Sequence, residues 1–327
     1  MRMAPGDDGT GDRRGRRAVG ALAYLSVPVV LVALPLVPLA AVLGPGGLGL
    51  AGPGAAGGLL AAVVVGLGGS ALGGPLLVDR WIAGLPEADL DDRPANFVAD
   101  RVSTLADDVG VDAPAVTVVR AEAANVAVTD GYRGSRLVVS TRLLSLPEAD
   151  RDAALRHALV RLRTRDPLVV TAVLPAVAVV ETVALLATLL VGRRGERTAG
   201  DRRVNRIHGY EPDRDRVPAW AYTVAGVLCW ALLSPAWVPA AVGDRLTVAG
   251  GRRDADAAVA RGGGDERTGL GNAVAFASDA AGAADWPPLL DRLSFVSMAD
   301  GETGRVRGTS RQEARIRLAR LRSKRAL

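Results

Sequence analysis

The sequence predicts an α-helical membrane bundle of about four transmembrane helices carrying an α+β domain on the cytoplasmic side. Three observations lead there. Of the 327 residues, 49% are hydrophobic and only 4% aromatic, too apolar for a plain soluble globule and too apolar for disorder. The charges are unevenly spread: none occurs from Ala18 to Val78, whereas 193–217 and the C-terminal segment are crowded with them. Short alternating β-type runs occur only between the second and third apolar stretches. The lone Cys229 excludes an intrachain disulfide, and His157 and His208, the only histidines, exclude a His-rich metal site within one chain. Net charge is +5, and Lys324 is the single lysine, so the basic character is arginine.

Residues 1–17 form a basic tail with five arginines, and 18–78 hold the first two spans. Ala18–Leu43 is long enough, about 39 Å as a helix, to cross a hydrocarbon layer of about 30 Å. Pro28, Pro35 and Pro38 would kink it, which neighbouring helices tolerate in lipid. A cleaved signal peptide is the competing reading, but its apolar core runs only about 7–15 residues. Gly44–Gly58 reads as a turn, and Gly58–Val78 as a Gly/Ala-rich span suited to close helix approach. The third span (167–192) carries one ionisable group, Glu181, which must face the bundle or a wet cavity. Either a proton relay or a satisfied structural carboxylate fits it; the second is the simpler. The fourth span (218–243) is uncharged and holds Trp220, Tyr222, Trp230 and Trp237, partly in interfacial positions. The positive-inside tendency then puts the N-terminus, 79–166 and 244–327 in the cytoplasm. The loop 193–217 objects, with eight Arg against five acids. Either that hairpin does not cross fully, or the larger arginine count opposite outweighs it.

In 79–166, Phe97, Val98, Val102, Leu105 and Val109 recur at helical spacing until Gly110. Ala115–Val119 reads as a buried strand, and Asn125–Val128 with Arg136–Ser140 as a hairpin around Asp130-Gly131. Pro147–Asp166 reads as a helix with Leu155, Leu159 and Leu162 in a stripe, joined to the third span at Pro167. After the fourth span, Arg252–Arg261, Leu270–Ala281 and Ser310–Leu321 read as helices. No internal repeat and no nucleotide loop occurs.

This order of parts, together with Leu137-Val138-Val139-Ser140-Thr141-Arg142-Leu143-Leu144, the stretch Asn125–Val128 and the helix from Arg156 to Asp166, resembles the HtpX-type membrane zinc metalloproteases. The resemblance implies a gluzincin-like, metalloprotease-like cytoplasmic domain on a helical bundle. In that family V-V-S-T-G-L-L precedes A-H-E-L-A-H-x-x-x-R-D, and zinc is the cofactor. Here the second motif, 148–166 being its helix, is degenerate. His157 stands at the first-ligand position. Ala158 replaces the general base, and Arg161 replaces the second ligand. In H-E-x-x-H two imidazoles one helical turn apart hold the ion, and the glutamate takes a proton from its water. A methyl group moves no proton. A guanidinium stays charged and, about 4 Å from a divalent ion, costs roughly 8 kcal/mol at an effective dielectric near 20. The third ligand, a glutamate in E-x-x-A-D, aligns with Arg252 if Ala255-Asp256 is the A-D. No Glu occurs between Glu211 and Glu266 under any register, which leaves Asp244, Asp254 and Asp256 as the nearby carboxylates. Where relatives often show His-Pro, this chain has Thr309-Ser310.

No catalytic residue and no retained cofactor is therefore expected, with His157 a vestigial metal position. An ion pair of Arg161 with Asp254 or Asp256 would replace the metal cross-link. The strand Arg136–Ser140 would be the peptide-pairing edge. The implied function is that of a non-proteolytic homologue in the cell membrane, binding or regulating membrane-protein quality control through membrane-protein clients or an active paralogous protease. A divergent zinc metalloendopeptidase with residual activity is the enzyme alternative; a structural or transport bundle is the third. The Arg-rich stretches 13–17, 193–206 and 305–325 suit anionic inner-leaflet lipids beside the bilayer. They lack the aromatic interleaving of a nucleic-acid surface, so no nucleic acid is expected.

Overall fold

A computed structural model describes residues 8–34, 53–86, 88, 92–192, 219–279, 286–297 and 310–323. Its long helices are α1 (Asp8–Ala33), α2 (Pro53–Ala83), α6 (Asp166–Gly192) and α7 (Ala219–Gly243). Four stretches are long and apolar enough to cross a membrane: Gly15–Ala33, Leu60–Ala83, Asp166–Ala187 and Thr223–Ala260. Leu22, Leu60, Val64, Leu72, Val183, Val227 and Leu232 on them are exposed, a side-chain set that suits lipid contact. Small residues set the helix spacing. A Cβ added at Gly66 would lie 2.8 Å from the Pro28 carbonyl oxygen, one at Gly74 2.0 Å from that of Thr171, and one at Gly243 2.5 Å from the Tyr24 ring. Only glycine permits these approaches.

The sequence reading needs two adjustments here. Helix α2 begins at Pro53, so the last six residues of Gly44–Gly58 are helical; Pro is well tolerated in a first turn. The stretches 35–52 and 193–217 lie outside the described residues. The fourth apolar helix does not stop at Gly243 but continues through a π-helical turn, Asp244–Val248, into α8 (Ala249–Ala260).

The shorter elements gather at one end of the bundle. Gly131 packs on Pro75 of α2, and Gly20 of α1 packs on Leu246 and Thr247. After α2 come α3 (Asp92–Val109), β1 (Ala115–Val119), β2 (Val126–Thr129), β3 (Arg136–Ser140), a short α4 (Thr141–Leu144) and α5 (Glu148–Arg163). Gly110 closes α3 at φ +75°, where a Cβ would be strained. Helix α5 ends before Pro167: Arg165 adopts φ +56°, and α6 starts at Asp166. Beyond α8 lie α9 (Gly264–Asp279), a 3₁₀ turn at Pro288–Leu293, and α10 (Ser310–Arg322).

The sheet order is β1-β3-β2, with β1 parallel and β2 antiparallel to β3. Strand β3 is therefore central, and the expectation that Arg136–Ser140 is a peptide-pairing edge is corrected. Leu137, Val138 and Val139 are wholly buried; a strand apolar on both faces belongs inside a sheet. Both outer edges are covered by the chain itself. Ala88 N donates to Val118 O at 3.2 Å and Arg120 N to Pro86 O at 2.9 Å beside β1. Beside β2, Ala127 forms an antiparallel bridge with Ser294, and Phe295 N donates to Val126 O at 2.7 Å.

Candidate functional site: a buried arginine and histidine cluster

Helical spacing places His157 and Arg161 one turn apart on α5, and both are buried, at 0% and 1% exposure. Ala158 is in the core beside them. Helix α8 contributes Arg252 and Asp256, again one turn apart and buried, and α10 contributes Arg317. The segment 286–297 fills the space between, its backbone carbonyls turned to the guanidinium groups.

Arg161 Nη1 donates to Leu293 O at 2.8 Å and Ser294 O at 3.1 Å, and its Nη2 to Arg292 O at 3.0 Å. Arg252 donates from Nε to Ser294 O at 3.0 Å, from Nη2 to Asp291 O at 2.5 Å, and from Nη1 to the Glu313 carboxylate at 3.0 Å. Arg317 grips Asp256 with two hydrogen bonds of 2.9 and 2.7 Å, gives a third to Phe295 O at 2.6 Å, and lies 4.9 Å from the Phe295 ring centroid. Asn125, at the head of β2, donates from Nδ2 to Val296 O at 2.7 Å and accepts from Val296 N at 3.2 Å. The carbonyls of residues 291–296 thus each accept from a side chain, as a buried non-ladder segment requires.

His157 Nε2 lies 3.2 Å from Arg252 O and 3.3 Å from Asp256 Oδ1. Both are acceptors, so the proton is assigned to Nε2. Nδ1 has no hydrogen-bond partner among the described residues, and the ring packs edge-on to Phe295 with centroids 5.0 Å apart. Burial, reinforced by Arg317 and Arg161, holds the imidazole down to about 4 against the opposing pull of Asp256. Burial acts to raise the Asp256 carboxyl, but Arg317 and the hydrogen bond from His157 overcome it and keep it below the usual carboxylate range.

The sequence-derived residues His157, Ala158, Arg161, Arg252 and Asp256 are brought together. The pairing expected among them is not what forms. Arg161 binds main-chain carbonyls, Asp256 is held by Arg317 and His157, and Asp254 accepts from Arg17 Nε at 2.9 Å. A guanidinium is a flat fork that suits several carbonyl oxygens as well as one carboxylate. Arg317, counted in the sequence among lipid-facing tail residues, is instead buried. Its signal was present: Ala314, Arg317, Leu318 and Leu321 fall at helical spacing, with an arginine in the apolar stripe. Arg292, Glu313 and Phe295 gave no such signal.

A second polar group lies deeper. Arg292 donates to both Asp244 oxygens, at 2.8 and 3.0 Å, and to Glu181 Oε1 at 2.6 Å, while the Tyr24 hydroxyl donates to Asp244 Oδ1. The π turn aims Asp244 into this group. Glu181, placed by the sequence in mid-span, is an ion-pair partner.

The donor set around His157 does not fit zinc. Among the described residues the carboxylate against the imidazole, Asp256, is committed to Arg317, and the cations Arg161 and Arg252 beside it are directed to main-chain carbonyls. No group of three or more His, Cys, Asp or Glu placed for a metal occurs among the described residues. No family model, curated protein or solved structure matches the chain.

Proposed function

We propose that the chain is a membrane-anchored, non-proteolytic protein built on the plan of the HtpX-type peptidases, acting by binding in membrane-protein quality control. The observation that carries this reading is Arg161. It stands where the second metal ligand would be, is buried to 1%, and directs its donors to carbonyls of residues 292–294. A proton acceptor is missing beside it, Ala158 being apolar. The neighbouring sheet edge is already paired to Ser294 and Phe295, so a client peptide would be engaged on another surface.

The test uses the full chain in lipid nanodiscs with an unfolded membrane-protein substrate, with and without added zinc, beside an Ala158→Glu, Arg161→His variant. Wild type should cross-link to the substrate and leave it uncut, and the variant should not cut it either, because Arg252 still occupies the third position. Zinc-dependent cleavage by wild type would overturn the proposal, as would the absence of any cross-link.

A further inference from the structure

A cavity of about 440 Å³ lies where α2 leaves its apolar stretch, bounded by Arg80 and Trp81 on the helix, by Gly84 and Leu85 just after it, and by Trp286, Pro287 and Pro288 opposite. We propose that it holds the phosphate headgroup and glycerol of an anionic phospholipid from the leaflet beside the soluble domain. The inference rests on the four apolar helices crossing a bilayer, not on the peptidase resemblance.

Depth is the first argument. The uncharged stretch of α2 ends at Val78. Arg80 and Trp81 then lie about 3–5 Å further along the helix axis, at the depth of a headgroup layer of roughly 5–8 Å per side. Charge is the second. Asp79, the adjacent carboxylate, is taken by Arg133 at 2.9 Å and Arg136 at 3.2 Å. Arg80 is exposed, and among the described residues neither an ion pair nor a hydrogen bond engages it. A guanidinium at the mouth of a cavity matches a phosphate better than any neutral ligand. The third argument is the wall. Trp286 is buried and pinned through Nε1 to Ser294 Oγ at 2.9 Å, Pro287 and Pro288 bring no N–H, and Trp81 stands half exposed at the rim. Such walls are unused by inorganic phosphate but would bury a glycerol backbone and the first methylenes. Indoles are also the side chains that settle at this depth. The volume falls within the range of small-ligand sites.

Native mass spectrometry of the full-length protein, released from nanodiscs of phosphatidylcholine or of phosphatidylcholine mixed equally with phosphatidylglycerol, tests the site. Wild type should retain phosphatidylglycerol in preference to phosphatidylcholine. Arg80→Gln should weaken that retention about fivefold, and Trp81→Ala should weaken it too. Arg151→Gln, at the far end of α5 over Phe97, should not. Among the described residues Arg80 makes no hydrogen bond or ion pair, so the variant's circular dichroism and melting should match wild type. Equal retention by Arg80→Gln would overturn the site. Arg80-dependent binding of glycerol phosphate or inorganic phosphate as tight as the lipid would overturn the lipid as occupant. Extraction of the chain from membranes by alkaline carbonate would overturn the bilayer reading underneath, a failure distinguishable from that of the cavity.

Discussion

Replacing Arg317 by leucine removes a buried cation from a carboxylate that it holds at 2.7 and 2.9 Å. The side chains are 3% and 8% exposed, so Asp256 would keep its charge with only the His157 Nε2–H to offset it. Breaking one side of such a pair costs about 3–5 kcal/mol, and the Phe295 carbonyl loses a donor worth about 1 kcal/mol more. For a chain of this size each kcal/mol moves the melting temperature by roughly 2–4 °C, which puts the expected drop at about 8–24 °C. Asp256→Leu alone strands Arg317 in the same way. The double variant Arg317→Leu, Asp256→Leu removes both charges and should recover most of the loss, because apolar replacements of buried pairs are often neutral. Melting of the detergent-solubilised protein, followed by tryptophan fluorescence, gives the three values. A double variant whose loss equals the sum of the single losses would show that the two side chains are not coupled, and the cluster would not be the device that joins α8 to α10.

Acid sensitivity should follow from His157. Its ring is held down to about 4 by burial, Arg317 and Arg161, against about 6.5 in the unfolded chain. The unfolded state therefore binds more protons between these values. Stability from the neutral ring is fully present above pH 6.5 and is lost as pH falls towards 4, in total about 3 kcal/mol. Asp256 is ionised in both states over most of that window and adds little to the slope. His157→Gln should melt lower at pH 7 but with a flatter dependence between pH 7 and 4.5; an unchanged slope would exclude the histidine as its source. In the bundle, Gly74→Ala drives a methyl to 2.0 Å from Thr171 O and should cost about 1–3 kcal/mol by overpacking. Gly68→Ala, with nothing within 4 Å, should be neutral or slightly stabilising, and equal effects of the two would refute the packing of α2 against α6.

The four apolar helices were legible because absence of charge over a span is a strong signal, and α3, α5, α9 and α10 because their apolar periodicity persists. Sheet order was not: Ala115–Val119, Val126–Thr129 and Arg136–Ser140 are similarly apolar, and nothing local marks the third as central. At the site, the inability of Ala158, Arg161 and Arg252 to hold a metal was readable from residue type. Their new partners were not, since the carbonyls of 291–295 carry no sequence signature and the segment has neither helical nor strand period. Pairing Arg161 with Asp256 followed charge alone; the bidentate geometry of Arg317, sixty-one residues downstream, took that carboxylate first. The π turn at Asp244–Val248 was likewise invisible, falling between the fourth span, read to 243, and the helix read from Arg252.

Zinc stoichiometry is the most direct test of whether cations and carbonyls have replaced a metal here. Full-length protein purified in detergent, incubated with zinc and freed of excess, should carry no stoichiometric metal, and its melting temperature should be the same before and after a chelator. One tightly held zinc per chain that disappears in His157→Ala, with melting lowered by the chelator, would contradict the arginine cluster as the joint of this domain.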